Sequence, residues 1–144
     1  MVAHSATRVV SNTNPAVNNQ INRRAERNVE YYASHPDKIE SRLRELDEEW
    51  DIERVLETGS SALTLTGLLL SIVRGRKWLL LSLGVQSFFM QHALQGWCPP
   101  LPMFRRLGFR TRREIDEERY ALKTLRGDFR NCSTAQDALR AVRL

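Results

Sequence analysis

Few residues in this chain have the type and setting that chemistry requires. Cys98 is the one candidate reactive thiol. It closes a long uncharged stretch and stands close in sequence to Arg105 and Arg106, whose charges are expected to lower a thiol pKa and enlarge the thiolate fraction. The plainer expectation for the same residue is a small side chain that packs tightly where Pro99, Pro100 and Pro102 end a helix. Between Trp78 and Trp97 only His92 can take a charge, which makes it a functional candidate in a membrane setting. No second ligand stands at metal spacing from it, and a neutral, hydrogen-bonded imidazole near the interface is expected. Cys132 stands apart, and two cysteines are too few for a disulfide framework and fit no zinc spacing. There is no Ser-His-Asp order, no glycine-rich phosphate loop and no carboxylate pair in an apolar setting. The sequence therefore predicts no enzyme, no cofactor and no metal.

The elements that must position these residues are helices, for no strand pattern is visible. From Thr58 to Phe104 the only charged side chains are Arg74, Arg76 and Lys77. The first uncharged segment, residues 58–73, would be about 24 Å long as a helix. Val55 and Leu56 extend it towards the about 30 Å of a hydrocarbon core. Arg74-Gly75-Arg76-Lys77 makes a compact turn, and the second segment, residues 78–98, follows. Trp78 and Trp97 lie nineteen residues apart, about 28 Å along a helix, as expected of anchors at both membrane interfaces. A soluble bundle helix keeps one charged face, whereas here charges vanish from every face. Small and polar residues recur at helical spacing: Ser60, Thr64, Gly67 and Ser71 in the first segment, and Gly84, Ser87, Gln91 and Gln95 in the second. In lipid such stripes bring helices together, so these eight residues are the expected packing seam.

The flanks carry the charge. Residues 1–34 are Asn-rich with little apolar periodicity and are expected to be disordered; no apolar run marks a secretory signal. Residues 35–57 should form an acidic amphipathic helix starting near Pro36, with Ile39, Leu43, Leu46 and Trp50 on one stripe. Residues 105–144 should form a basic helical tail. Thr111 with Glu114 makes one capping box there and Ser133 with Gln136 a second, and Ile115, Leu122 and Leu125 form an apolar face. Residues 37–57 hold four basic and nine acidic side chains, against nine basic and five acidic in 105–130. The two flanks are therefore expected to pair through their apolar stripes and opposite charges. The whole chain of 144 residues has net charge +5, pI near 9.8 and mean hydropathy −0.43, which excludes a polytopic membrane protein. The basic residues cluster beside the apolar stretch without a nucleic-acid motif, so nucleic acid is not an expected partner. Arg105, Arg106, Arg110, Arg112 and Arg113 read instead as topology signals. With Arg44 and Arg54 they outnumber the three cations of the turn and place both termini in the cytoplasm.

Gly96-Trp97-Cys98-Pro99, followed by Leu107-Gly108, resembles the YgaP-like inner-membrane domain over roughly residues 58–113. That resemblance implies a two-helix bacterial membrane module of largely unknown function, found alone or after a sulfur-carrying rhodanese domain. No rhodanese sequence is present here. The expected fold is all-α: a transmembrane hairpin over 58–104 with flanking amphipathic cytoplasmic helices and a disordered N-terminus. The expected function is a small non-enzymatic inner-membrane protein that anchors cytoplasmic helices for self-association or for binding a protein partner. The alternatives are a membrane accessory handling sulfur or thiols through Cys98, and a soluble helical adaptor.

Overall fold

The boundary between the acidic flank and the uncharged stretch is set by local backbone chemistry. Glu49 is extended, with ψ of 128°, and breaks the acidic helix. Asp51 then accepts the Arg54 N–H on Oδ1 at 2.8 Å, capping the helix that follows. The apolar helix therefore begins at Ile52 rather than Thr58, because a carboxylate is available there to take up a free N–H.

The computed structural model describes residues 4–143, and among them every element is helical and no strand occurs. In chain order these are α1 (Arg8–Ser11), α2 (Pro15–Ala33), α3 (Ile39–Glu48), α4 (Ile52–Arg74), α5 (Leu79–Gln95), α6 (Leu101–Arg106), α7 (Arg112–Arg126) and α8 (Ala135–Arg143). Short 3-10 turns at Pro36–Lys38 and Arg76–Trp78 lead into α3 and α5. The chain divides into two units, one of residues up to Ile21 with Trp50–Arg112, the other of Asn22–Glu49 with the residues from Arg113 onward.

In the first unit α4 and α5 pack antiparallel. The Ser82 hydroxyl donates to the Thr64 carbonyl at 3.0 Å, and Gln86 Nε2 donates to Thr64 Oγ1 at 2.8 Å. Gly67 makes this approach possible, since a Cβ there would sit 2.4 Å from Ser82 Oγ and 3.1 Å from the Trp78 carbonyl oxygen. Among the described residues one helix is long and apolar enough to cross a membrane; its apolar part is α4, and only 11% of the apolar window is buried. Ile72 is 81% exposed and Leu80 71%, with Leu69, Val73, Leu83 and Met90 also open. The buried apolar core of this unit lies elsewhere, in Val9, Ile52, Leu56, Cys98 and Leu101, with Phe89, Phe104 and Phe109 against them.

The second unit is built the other way round. Ile39, Leu43 and Leu46 of α3 share one buried cluster with Ile115 and Leu122 of α7, and Val29 and Tyr32 of α2 pack on it. Burying each such aliphatic side chain is worth about 1.5–3 kcal/mol. Arg119 pairs with Asp47 and Arg126 with Glu40 at the rim of the cluster, while the fully buried Glu118 carboxylate accepts from Arg42 Nε at 2.9 Å. Two residues expected on these stripes lie outside the cluster. Leu125 is exposed, and Trp50 instead lies beneath the Arg54 guanidinium, 4.5 Å from its ring centroid.

The N-terminal segment departs most from expectation. Residues 15–33 are helix rather than disordered chain, while residues 1–3 lie outside the described residues. The physical reason is sparse but regular: Ile21, Ala25, Val29 and Tyr32 recur at helical spacing among the asparagines and arginines, and Ile21 is buried. Val9 enters the core of the first unit. The last helix also starts one residue later than its expected capping box. Thr134 Oγ1 accepts the Asp137 N–H at 3.1 Å while the Asp137 carboxylate accepts from the Thr134 N–H and hydroxyl, so the box is Thr134–Asp137 and not Ser133–Gln136.

Candidate functional site

The residues with chemical potential meet where α5 ends. Gly96 adopts φ of 78°, and its N–H donates to the His92 carbonyl at 2.7 Å, closing the helix. A Cβ on Gly96 would lie 2.4 Å from the Arg8 carbonyl oxygen, so glycine is required both for the backbone angle and for the approach of α1. Asn12 Nδ2 fastens that approach, donating to the carbonyls of Arg8 and Gln95, both at 2.8 Å. Cys98 follows, three residues beyond the end of α5, and its carbonyl accepts the Leu101 N–H at the start of α6.

Cys98 is only 4% exposed and lies within the apolar cluster. Burial pushes its thiol pKa up, opposed only by a backbone hydrogen bond from Leu101. Neither Arg105 nor Arg106 acts on the thiol, and Arg105 is turned to other partners. This guanidinium is 1% exposed and donates to Thr13 Oγ1 at 3.2 Å, Asn18 Oδ1 at 3.0 Å and the Phe109 carbonyl at 3.0 Å. Its partners Thr13 and Asn18 come from the N-terminal segment, and nothing in the local sequence around Arg105 signals them. Arg110 is buried as well, and its carbonyl accepts the Ile52 N–H at 2.8 Å. Of the five topology arginines, Arg106, Arg112 and Arg113 remain exposed, and Arg113 pairs with Glu117 at 2.9 Å.

His92 is 3% exposed, and neither ring nitrogen has a hydrogen-bond partner, contrary to the expected hydrogen-bonded imidazole. Its ring lies nearly parallel to that of Phe89, centroids 6.5 Å apart. Arg8 Nε and Glu53 Oε2 are likewise buried without partners. Arg8 acts electrostatically on both Glu53 and His92. Glu53 lies in the first turn of α4, ahead of the uncharged stretch. A buried polar group without a partner is costly, so this cluster holds open hydrogen-bonding capacity inside the unit. It offers no nucleophile–base pair, since Cys98 has no hydrogen bond to His92. No group of three or more His, Cys, Asp or Glu is placed to hold a metal among the described residues.

The packing seam is half where the sequence puts it. Thr64 and Gly67 of α4 face α5 as expected. The residues that meet α4 from the other side are Trp78, just before α5, and Ser82 and Gln86 on it, four apart. A Cβ on Gly84 would meet nothing within 4 Å. Ser87 donates to Leu83 at 2.8 Å, while Ser60 and Ser71 donate to Glu57 and Leu68, so all three hydroxyls are satisfied inside their own helices. Gln95 contributes its carbonyl to Asn12. Trp78 is half-buried and Trp97 borders on exposed. In the second unit a depression of about 280 Å³ is bordered by Arg126, Asp128, Cys132 and Arg140; Arg126 and Asp128 bond to each other there.

No family model, curated protein or solved structure matches the chain.

Proposed function

We propose that this is a small non-enzymatic inner-membrane protein of the YgaP-like type, in which α4 and α5 form a transmembrane hairpin that anchors amphipathic cytoplasmic helices for self-association or for binding a protein partner. The observation that carries the reading is the exposure of α4. A helix long enough to span, with its apolar window only 11% buried, favours a membrane span over the core helix of a soluble domain. Two features support it. The seam between α4 and α5 uses a glycine, hydroxyls and an amide, the residue types that join helices in lipid. The turn between them is cationic and exposed. Both termini are assigned to the cytoplasm by the excess of Arg in the flanks over the turn. The bilayer is the first partner, and no nucleic acid is involved.

Alkaline carbonate extraction of membranes from expressing cells tests the anchor. The full chain is expected in the pellet with integral proteins; recovery as folded monomer in the supernatant would promote the soluble adaptor instead. Reporter fusions at each terminus and in the turn test the topology, with both termini expected to report cytoplasmic.

A further inference from the structure

α8 is divided more sharply into an apolar and a polar face than any other helix of comparable length in the chain. At 3.6 residues per turn, Ala135, Ala138, Leu139 and Val142 fall on one side and Gln136, Asp137, Arg140 and Arg143 on the other. The apolar side is not what the helix packs with. Its one buried residue is Ala141, at the edge of that side, while Leu139 is 53% and Val142 45% exposed. The helix is nonetheless fastened at both ends. The Thr134–Asp137 box closes the start, and Lys123, itself buried, donates through Nζ to the carbonyls of Ala141 and Val142 at 3.3 and 3.1 Å. It is thus held with its apolar face outward.

We propose that this face of α8 lies on an anionic lipid surface, a reading that rests on the membrane anchoring proposed above. Leu139 and Val142 would enter the boundary between headgroups and acyl chains, and Arg140 and Arg143 would meet the headgroup phosphates. Charge selects this occupant: the Asp137 carboxylate is taken up by the cap, so the polar side offers outward chiefly the two arginines. Size selects it too. Two large apolar side chains fall far short of the about 800 Å² per partner of a stable protein interface. A weak lipid contact suffices in a chain already held at the bilayer, because tethering supplies a high effective concentration.

The test uses the full chain reconstituted into vesicles of phosphatidylcholine alone or mixed with an equal amount of phosphatidylglycerol. Cys132 is replaced by serine, buried Cys98 is kept, and an environment-sensitive fluorophore is attached through Val142→Cys, Gln136→Cys or Leu69→Cys in separate samples. The probe at 142 is expected to become dry and open to lipid-borne quencher several-fold more in the anionic vesicles. Arg140→Gln/Arg143→Gln should abolish that difference, and the probe at 136 should stay wet. A probe at 142 equally wet in both vesicles overturns the inference. So does one equally dry in both and in detergent, which would mean a protein contact. The probe at 69 separates the two readings: dry at 69 but wet at 142 leaves the anchor standing and removes the α8 contact, whereas wet at 69 removes the anchor.

Discussion

In the unit that contains α3 and α7, Ile39, Leu43, Leu46, Ile115 and Leu122 are buried together and the ion pairs Arg119–Asp47 and Arg126–Glu40 lie around them. In the unit that contains α4 and α5, Leu69, Ile72, Val73 and Leu80 face outward, while Thr64, Gly67, Ser82 and Gln86 line the contact between the helices. The first pattern is what water selects: apolar surface is withdrawn, and the charges buried beside it, Glu118 and Lys123, are hydrogen-bonded to Arg42 and to backbone carbonyls. The second reverses it, and on the membrane reading proposed above lipid is the cause, because acyl chains give no reason to bury leucine and reward close backbone approach and internal hydrogen bonds instead. On that reading one chain of ordinary average composition holds two solvent adaptations, and the average conceals both.

The largest predicted effect breaks the comparison at its water-adapted end. Leu46, fully buried, replaced by Asp should cost at least about 3 kcal/mol through lost packing and a buried unpaired charge. Thermal unfolding followed by a probe in α7 would register it, and an unchanged midpoint would show that the α3–α7 cluster does not hold this unit together. The same chemical change at Ile72 should leave that unit untouched. At the centre of a membrane helix a carboxylate costs about 2.5–3.5 kcal/mol of insertion, and Ile72, near the end of α4, should show part of this. The insertion efficiency of α4 in microsomes measures it, and full insertion of the Ile72→Asp chain would place Ile72 in water.

A smaller effect sharpens the lipid-adapted end. Gly67→Leu forces α4 and α5 apart and should cost about 1–3 kcal/mol, whereas Gly84→Leu, with open space at its Cβ, and Leu68→Val should cost little. Stability of the purified protein in detergent, compared across the three variants, reads this order. Equal tolerance of all three would remove the seam.

The smallest effect concerns the buried carboxyl of the first unit. Glu53 Oε2 is buried without a hydrogen-bond partner, so Glu53→Gln should make the unit more stable at neutral pH, by less than the Gly67→Leu effect. Thermal unfolding in detergent reads it, and a midpoint at or below that of the wild type would acquit Glu53.

The parts of this molecule legible in its sequence are those whose signal is local. The uncharged runs marked α4 and α5, and the stripe of Ile39, Leu43 and Leu46 marked a face that is buried, whereas α5 ends at Gln95 on left-handed Gly96 and not at the prolines, which open α6. What sequence hid depends on contacts distant along the chain. Arg105 looks like a topology signal until Thr13 and Asn18 are brought to it, and Cys98 looks activated until Val9 and Leu101 cover it. The α2 helix was masked by its asparagines, since four apolar residues spaced over three turns are faint by composition yet sufficient by periodicity. On α5 two stripes of small and polar residues exist, and only the partner helix decides between Ser82–Gln86 and Gly84–Ser87.

The claim that the α4–α5 unit is turned outward towards lipid is tested most directly by spin labels on single cysteines at positions 65, 69, 72, 80 and 83 of the reconstituted protein, with a label at exposed position 48 for reference. Collision with oxygen, which concentrates in lipid, is compared with collision with a water-soluble nickel chelate. High oxygen and low nickel accessibility at all five helix positions, with the opposite at 48, is the predicted result. Nickel accessibility at those five positions equal to that at 48 would contradict the account.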